Sequence, residues 1–309
     1  MSTSSNEASK DIDVYQIVTN RIIALLEQGT VPWQKPWIEP GIPKNLLSKR
    51  PYRGINLWLL LSLDYQHNLF LTWDQLKKIG GSVKQGEHGH VVVFWKTLKK
   101  DGDIEEEERK KNIPLLRYYK VFNVEQCKDI PENLVNLKVE RHQEHDTLLQ
   151  CEQIVECMPS VPDIKHKVQK AFYDIEKDYI NMPRKKSFVT PESYYCTLFH
   201  ELVHSTGHEK RLNRSSITQM MESGSDQYSI EELVAEMGAA YLCSHAWILS
   251  EQVENIAAYI GGWVKQLSND KKFIIRAAGN AQKAVDYILN VKPQESENEI
   301  EQSELLTEN

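Results

Sequence analysis

Between residues 14 and 26, Val14, Ile17, Val18, Ile22, Leu25 and Leu26 recur at three- and four-residue intervals and the run closes at Gly29, which predicts an amphipathic helix. The following TVPWQKPWIEPGIP carries four prolines and two tryptophans, which precludes regular structure. Apolar residues then return as a helix over 57–63. A shorter helix is expected over 72–79, capped by Thr72 and ended by Gly80 and Gly81. HVVVFWKTL and LLRYYKVFNV are β-rich and flank DGDIEEEERKKN, so a hairpin with a long acidic connection is expected. From residue 147 onward helical periods dominate, over 148–158, 193–206, 230–250, 252–269 and 272–290. This pattern predicts an α+β protein of two domains, a small mixed α/β unit over 11–126 and a mainly helical unit over 147–291. Residues 127–146, polar and interrupted by proline, are expected to link them. Residues 1–10 and the acidic 292–309 are expected to be disordered. No internal repeat is found.

A chain of 309 residues that is 40% hydrophobic has enough apolar material for two cores. No apolar run approaches the roughly 20 residues of a membrane span, and the N-terminus MSTSSNEASKDID lacks the basic and apolar regions of a signal peptide. A cytoplasmic protein with no membrane partner is the expectation. The five cysteines are odd in number and contain no CxxC pair, so they read as free thiols rather than a disulfide framework or a cysteine metal site.

The net charge of −7 is unevenly distributed. Residues 1–125 hold 18 Lys+Arg against 15 Asp+Glu, and six of those acids lie in the single stretch 101–108; the remainder of the chain stands at −10. The first half is therefore basic apart from one acidic loop. That suits a polyanion partner, although an ordinary solvated surface accounts for charge alone equally well.

The chemistry concentrates in PESYYCTLFHELVHSTGHEKRLNR. On a helix, His200 and His204 lie one turn apart on one face, where both imidazoles can reach one ion, and Glu201 projects beside them as general base. This arrangement suits metal-assisted hydrolysis. A third ligand at HExxHxxGxxH spacing would be residue 210, which is Lys210, and His208 falls two residues too early. The alternative is a carboxylate on a later helix, where SIEELVAEMGAAYL supplies Glu231, Glu232 and Glu236. The spacing of Glu232 and Glu236 is similar to the ExxxD-type helix of thermolysin-like enzymes. By that analogy Glu232 is the expected ligand and Glu236 the partner of a ligand histidine, while Glu231 points away as a helix-start acid. His208 is expected at the surface or behind a ligand. The expected ion is one Zn2+, with Mn2+ or Co2+ as alternatives because a His₂Glu set discriminates weakly among them.

In the first half, aromatic and basic residues are interleaved: Trp33, Lys35, Trp37, Arg50, Tyr52, Arg53, Lys84, Trp95, Lys96, Arg117, Tyr118 and Lys120. Stacking rings beside phosphate-neutralising cations are what a sequence-tolerant single-strand binder uses. Trp58, Tyr119 and Phe122 fall within strongly apolar runs and read as core. For Trp33 and Trp37, on the proline-rich loop, core and stacking roles both stay open.

VPWQKPW, Pro43-x-Asn45, YRGIN, LTWDQLKKIGGSVKQGEHG, VVFW and YYKVFNVEQ together resemble the N-terminal single-stranded-DNA-binding domain of ArdC-type antirestriction proteins, also found in TraC-type primases. YYCTLFHELVHSTGHEKRLNR, EELVAEMGAAYL and IGGWVKQLSNDKKFIIRAAGNAQKAVDYIL resemble the zincin-like metallopeptidase domain that follows it in that family. The resemblance runs from about residue 14 to 289. It implies a mobile-element protein, carried by conjugative plasmids and open to transfer into a recipient cell, that binds single-stranded DNA without sequence preference and helps it survive restriction. The implied metal-site residues are His200, Glu201, His204 and Glu232. Two alternatives stay open: a single-stranded-DNA-binding protein whose metal site is structural or catalytically silent, and a metallopeptidase that acts on a host protein with no DNA role. The acidic stretch 101–108 has no match in the family pattern.

Overall fold

The computed structural model describes residues 13–34, 41–98, 113–135, 147–217, 229–248 and 256–291. Helix α1 (Val14–Glu27) is capped by Asp13 and buries Val18, Ile22 and Leu26. A four-stranded sheet follows in the order β1-β2-β5-β4, built from β1 (Lys44–Asn45), β2 (Leu69–Thr72), β4 (His90–Leu98) and β5 (Ile113–Asn123). The expected hairpin is β4 with β5, antiparallel, with Val93 opposite Tyr118 and Trp95 opposite Leu116. Helix α2 (Ile55–Leu61) covers one face of the hairpin, and Asn56 fastens it by exchanging side-chain hydrogen bonds with the Val93 backbone. Helix α3 (Trp73–Lys78) starts in the expected place, with a capping box between Thr72 and Gln75.

Cys127 and Lys128, expected in the linker, form strand β6 and pair with β3 (Ser82–Val83). Helix α4 (Glu132–Val135) follows. The second unit comprises α5 (Thr147–Cys157), α6 (Pro191–Ser205), α7 (Ile230–His245), α8 (Ile256–Asn269) and α9 (Phe273–Ile288). Between α5 and α6 lies a small sheet that the sequence pattern did not predict, ordered β7-β9-β8 from Asp163–Lys165, Tyr179–Asn181 and Phe172–Asp174. Its centre is Asn181, fully buried, whose side chain accepts from the amides of Lys167 and Val168 and donates to the Val168 carbonyl, holding the β7–β8 connection against β9.

One continuous apolar core runs through both units, from Val18 and Ile22 of α1 and Trp58 of α2 to Leu202, Val234, Trp263 and Ile288. Polar contacts reinforce the junction: Arg53 pairs with Asp286, the Gly54 amide donates to Gln282, and Thr19 donates to the Lys271 carbonyl. Three expected DNA contacts change meaning here. Trp33 is 1% exposed and seated edge-on against Trp263. Tyr52 is buried edge-on against Phe70. Arg53 is committed to α9. Trp33 joins the core that the two units share, and Tyr52 joins a cluster within the first unit with Leu60, Phe70, Val92 and Val121; periodicity within one segment reveals neither. Lys35 and Trp37 lie outside the described residues, as do residues 1–10, the acidic stretch 101–108 and residues 292–309. No described helix is long and apolar enough to cross a membrane.

Candidate metal centre

Helix α6 begins at Thr190, whose hydroxyl accepts from the Ser193 amide at 3.1 Å, with Pro191 in the first turn. Burial of Tyr194, Leu198, Phe199, Leu202 and Val203 fixes the rotation of the helix. Helix α7 is capped by Ser229, whose hydroxyl accepts from the Glu232 amide at 3.1 Å. The two helices can approach because Gly238 has no side chain: a Cβ there would lie 2.7 Å from Val203 Cγ2.

Close packing of α6 on α7 brings His200, His204 and Glu232 together, with their ligand atoms all within 4.8 Å of one another. His200 Nε2 and His204 Nε2 are 3.1 Å apart. Glu232 Oε1 is 3.1 Å from His200 Nε2, and its Oε2 is 3.6 Å from His204 Nε2. Bonds of about 2.0–2.1 Å in a tetrahedral site would separate ligand atoms by roughly 3.3 Å, so the three donors stand where one divalent cation fits. The local field agrees. Burial by itself lowers the proton affinity of His204, but Glu231, Glu232 and Glu201 outweigh it and raise its pKa above the usual imidazole range. Burial likewise works against ionisation of Glu232, yet His200 and His204 hold its carboxyl well below the ordinary carboxylate range. A pocket that favours positive charge in this way suits a metal. His200 and Glu232 remain about one-quarter exposed, so the site opens to solvent on their side.

The residues behind the ligands differ from the expectation. Glu231 is fully buried rather than turned to solvent, and its Oε1 faces His204 Nδ1 at 3.5 Å. Arg214 and the Ser216 hydroxyl both donate to it, and Arg214 also donates to the Val203 carbonyl at the end of α6. Burial opposes its ionisation, but His204 and Arg214 bring its pKa down to about 2. Glu231, rather than Glu236, is thus the carboxylate that faces the imidazole of His204. Glu236, expected in that role, instead accepts from Trp33 Nε1 at 3.0 Å and from the Tyr259 hydroxyl. Burial pushes its pKa up to about 7, with the Glu232 charge adding to the effect. Glu201 is buried beside His200 and engages no hydrogen bond or ion pair among the described residues. His208 is buried away from the cluster, with Nδ1 accepting from the Lys210 amide and lying 4.0 Å from Asp178. Arg211, beside it, pairs with Asp178 and donates to the Tyr173 hydroxyl.

The remaining expected DNA contacts are spread over the first unit. Arg50, Lys84, Arg117 and Lys120 are exposed, Tyr118 is half-buried and packed on the core, and Trp95 is 40% exposed against Tyr15. Lys96 lies in β4, with its side chain outside the described residues. Sequence reading passed over Trp73, which is 45% exposed, rests on Phe122 and carries the Lys77 ammonium over its ring. A tryptophan at the start of a short helix, between Thr72 and Asp74, breaks the apolar-inward pattern and was the available signal.

The α+β first unit and the two-helix HExxH site with a carboxylate from the next helix define a zincin-like metal-binding protein behind an N-terminal module. Residues 151–280 match the family model described as zincin-like metallopeptidase, and residues 12–122 match the N-terminal domain of anti-restriction factor ArdC. The metal-free crystal structure of the ArdC protein of plasmid R388 is 34% identical, with a TM-score of 0.71 over 90% of this chain and 97% of that one. Its Mn(II)-bound structure is matched with a TM-score of 0.70 at 35% identity, over 92% and 100%. The chain belongs to the ArdC family of antirestriction proteins. Among relatives, protein y4eC of Sinorhizobium fredii is 31% identical over 93% of this chain and 95% of its own length. DNA primase TraC of Escherichia coli is 32% identical over 89% of this chain, which spans only 20% of that primase.

Proposed function

We propose that the chain binds single-stranded DNA through its N-terminal unit and hydrolyses peptide bonds in a protein substrate at the metal site, both in the service of antirestriction. The observation that carries the hydrolytic half is the convergence of His200, His204 and Glu232 beside a buried, unengaged Glu201. His200, His204 and Glu232 would hold one divalent ion, zinc by the chemistry of the donor set, with manganese and cobalt as substitutes; the Mn(II)-bound relative supports a metal of this class. When bound, the metal supplies Lewis acidity that polarises the scissile carbonyl and acidifies water. Glu201 takes a proton from the attacking water and returns it to the leaving nitrogen. Glu231 holds the His204 ring in place, and Arg214 keeps Glu231 charged.

A purely structural metal is the second reading. Against it stands the metal-free relative, which this chain matches as well as it matches the Mn(II)-bound one. The DNA-binding half rests on the family and on the exposed platform of Trp73 over Phe122, with Lys77 and Lys120 beside it. The test pairs two variants. Glu201→Ala should abolish hydrolysis of a peptide library while single-strand affinity, followed by fluorescence anisotropy at several salt concentrations, stays unchanged. Trp73→Ala with Lys120→Ala should weaken single-strand binding by at least tenfold and leave hydrolysis intact. Antirestriction that survives in Glu201→Ala would remove hydrolysis from the function.

A further inference from the structure

The thiols of Cys196 and Cys243 meet across the α6–α7 contact with their sulfur atoms 3.2 Å apart. Both are buried, at 7% and 1% exposure. Cys196 stands one helical turn before His200, and Cys243 lies on the helix that supplies Glu232, so the pair bridges the two elements that carry every metal ligand. The remaining cysteines are placed differently: Cys127 is buried in the N-terminal unit, Cys151 is buried on α5 and Cys157 is exposed.

We propose that Cys196 and Cys243 form an oxidation-competent dithiol, a modification site at which a peroxide closes an intramolecular disulfide that straps α6 to α7. A disulfide has sulfur atoms about 2.05 Å apart, so about 1.2 Å of approach remains, a distance that side-chain rotation within a facing helix pair can supply. Burial selects the oxidant by size: bulky disulfides cannot reach these sulfurs, whereas hydrogen peroxide is little larger than water. One thiolate attacks a peroxide oxygen, the O–O bond breaks, the departing hydroxide takes up the proton that the thiol had released, and a sulfenic acid and one water result. The second thiol sulfur then attacks the sulfenic sulfur, its proton leaves with the displaced hydroxyl as a second water, and the S–S bond forms. Two thiols and one peroxide give one disulfide and two waters, with the sulfurs oxidised and the peroxide reduced. The strap fixes Glu232 opposite His200 whether or not a metal is present, and the inference stands independently of the proposed peptidase activity.

The experiment exposes the metal-free full-length protein to graded hydrogen peroxide, quenches it, alkylates remaining thiols in denaturant and maps peptides by mass spectrometry. The expected result is a 196–243 linked peptide, a fall from five titratable thiols to three, a higher Tm and restoration of all five thiols by dithiothreitol. Slower release of loaded Mn(II) by several-fold should accompany it, with no change in the Cys196→Ser variant. Five thiols remaining, loss confined to Cys157, irreversible oxidation without a linked peptide, or a linked peptide with a lower Tm would each overturn the proposal. Because the peptide map is read on the unaltered chain, it stands even where a serine variant fails to fold.

Discussion

At the level of single side chains, the histidine-rich motif was legible because its chemistry depends on spacing within one helix. The supporting carboxylate was not. Glu231 and Glu232 are adjacent acids at a helix start, where favourable interaction with the helix dipole explains both without burial. What distinguishes them is Arg214, which arrives from the turn beyond α6 and draws Glu231 inward. No local pattern encodes that meeting. Glu231→Ala should therefore cost about 3–5 kcal/mol of stability in urea unfolding, because it strands a buried guanidinium, whereas Glu201→Ala should cost far less. Asp178 gives a pH-dependent counterpart. Burial opposes its ionisation, but Arg211 and Tyr173 hold its carboxyl below the ordinary value. The unfolded chain therefore takes up the proton first as pH falls, so the stability this group contributes is complete above its unfolded pKa, about 3.9, and is lost as pH drops through the lower folded value. Asp178→Asn should be less stable at neutral pH, and its urea midpoint should fall less steeply than that of the parent below about pH 4.

Among the elements, those long enough to show a period were predicted, the six-residue α3 was legible through its caps, and the three-residue strands of the second unit were not. Helices α1, α6 and α9 each present several turns of apolar residues, and β4 and β5 are rich in β-branched and aromatic residues over nine and eleven positions. Strands β7, β8 and β9 have three residues each, less than two periods of alternation. The decisive feature of the α6–α7 pair was likewise hidden, since Gly238 within a helical run reads only as a weak helix former. Its structural purpose is the contact with Val203. Gly238→Ala sets a gain in helix propensity of about 1 kcal/mol against overpacking of about 1–3 kcal/mol, and Val203, rigid and buried, has little room to yield. The net expectation is a loss of about 0–2 kcal/mol together with weaker Mn(II) binding by calorimetry, as the ligand helices are pushed apart. Adding Val203→Ala to Gly238→Ala should restore metal affinity; failure to do so would place the Gly238 effect elsewhere.

For the whole molecule, the two-unit pattern seen in composition and periodicity coexists with a large core that both units share, beside which the first unit keeps two smaller clusters. Helix α1 packs on β5 of its own unit and on α8 and α9 of the other, while α2 lies between β4 and α9. Val18, Ile22, Leu26 and Trp58 are therefore covered in part by residues more than 200 positions away in the chain. Trp33 carries the same logic to the metal centre, since its indole donates to Glu236 and Tyr259 of the second unit. A fragment ending near residue 128 would expose these faces to water, at about 25 cal/mol for each Å² of apolar surface uncovered. A small domain with marginal stability cannot absorb the loss of a large part of its core. Scanning calorimetry of the full chain should accordingly show one cooperative transition with calorimetric and van't Hoff enthalpies equal, and a 13–128 fragment should lack the sharp near-ultraviolet dichroism of packed tryptophans. Two resolved transitions, or a fragment with native-like packing, would mean that each unit holds its own core and that the contacts of α1, α2 and Trp33 across the junction contribute little to folding.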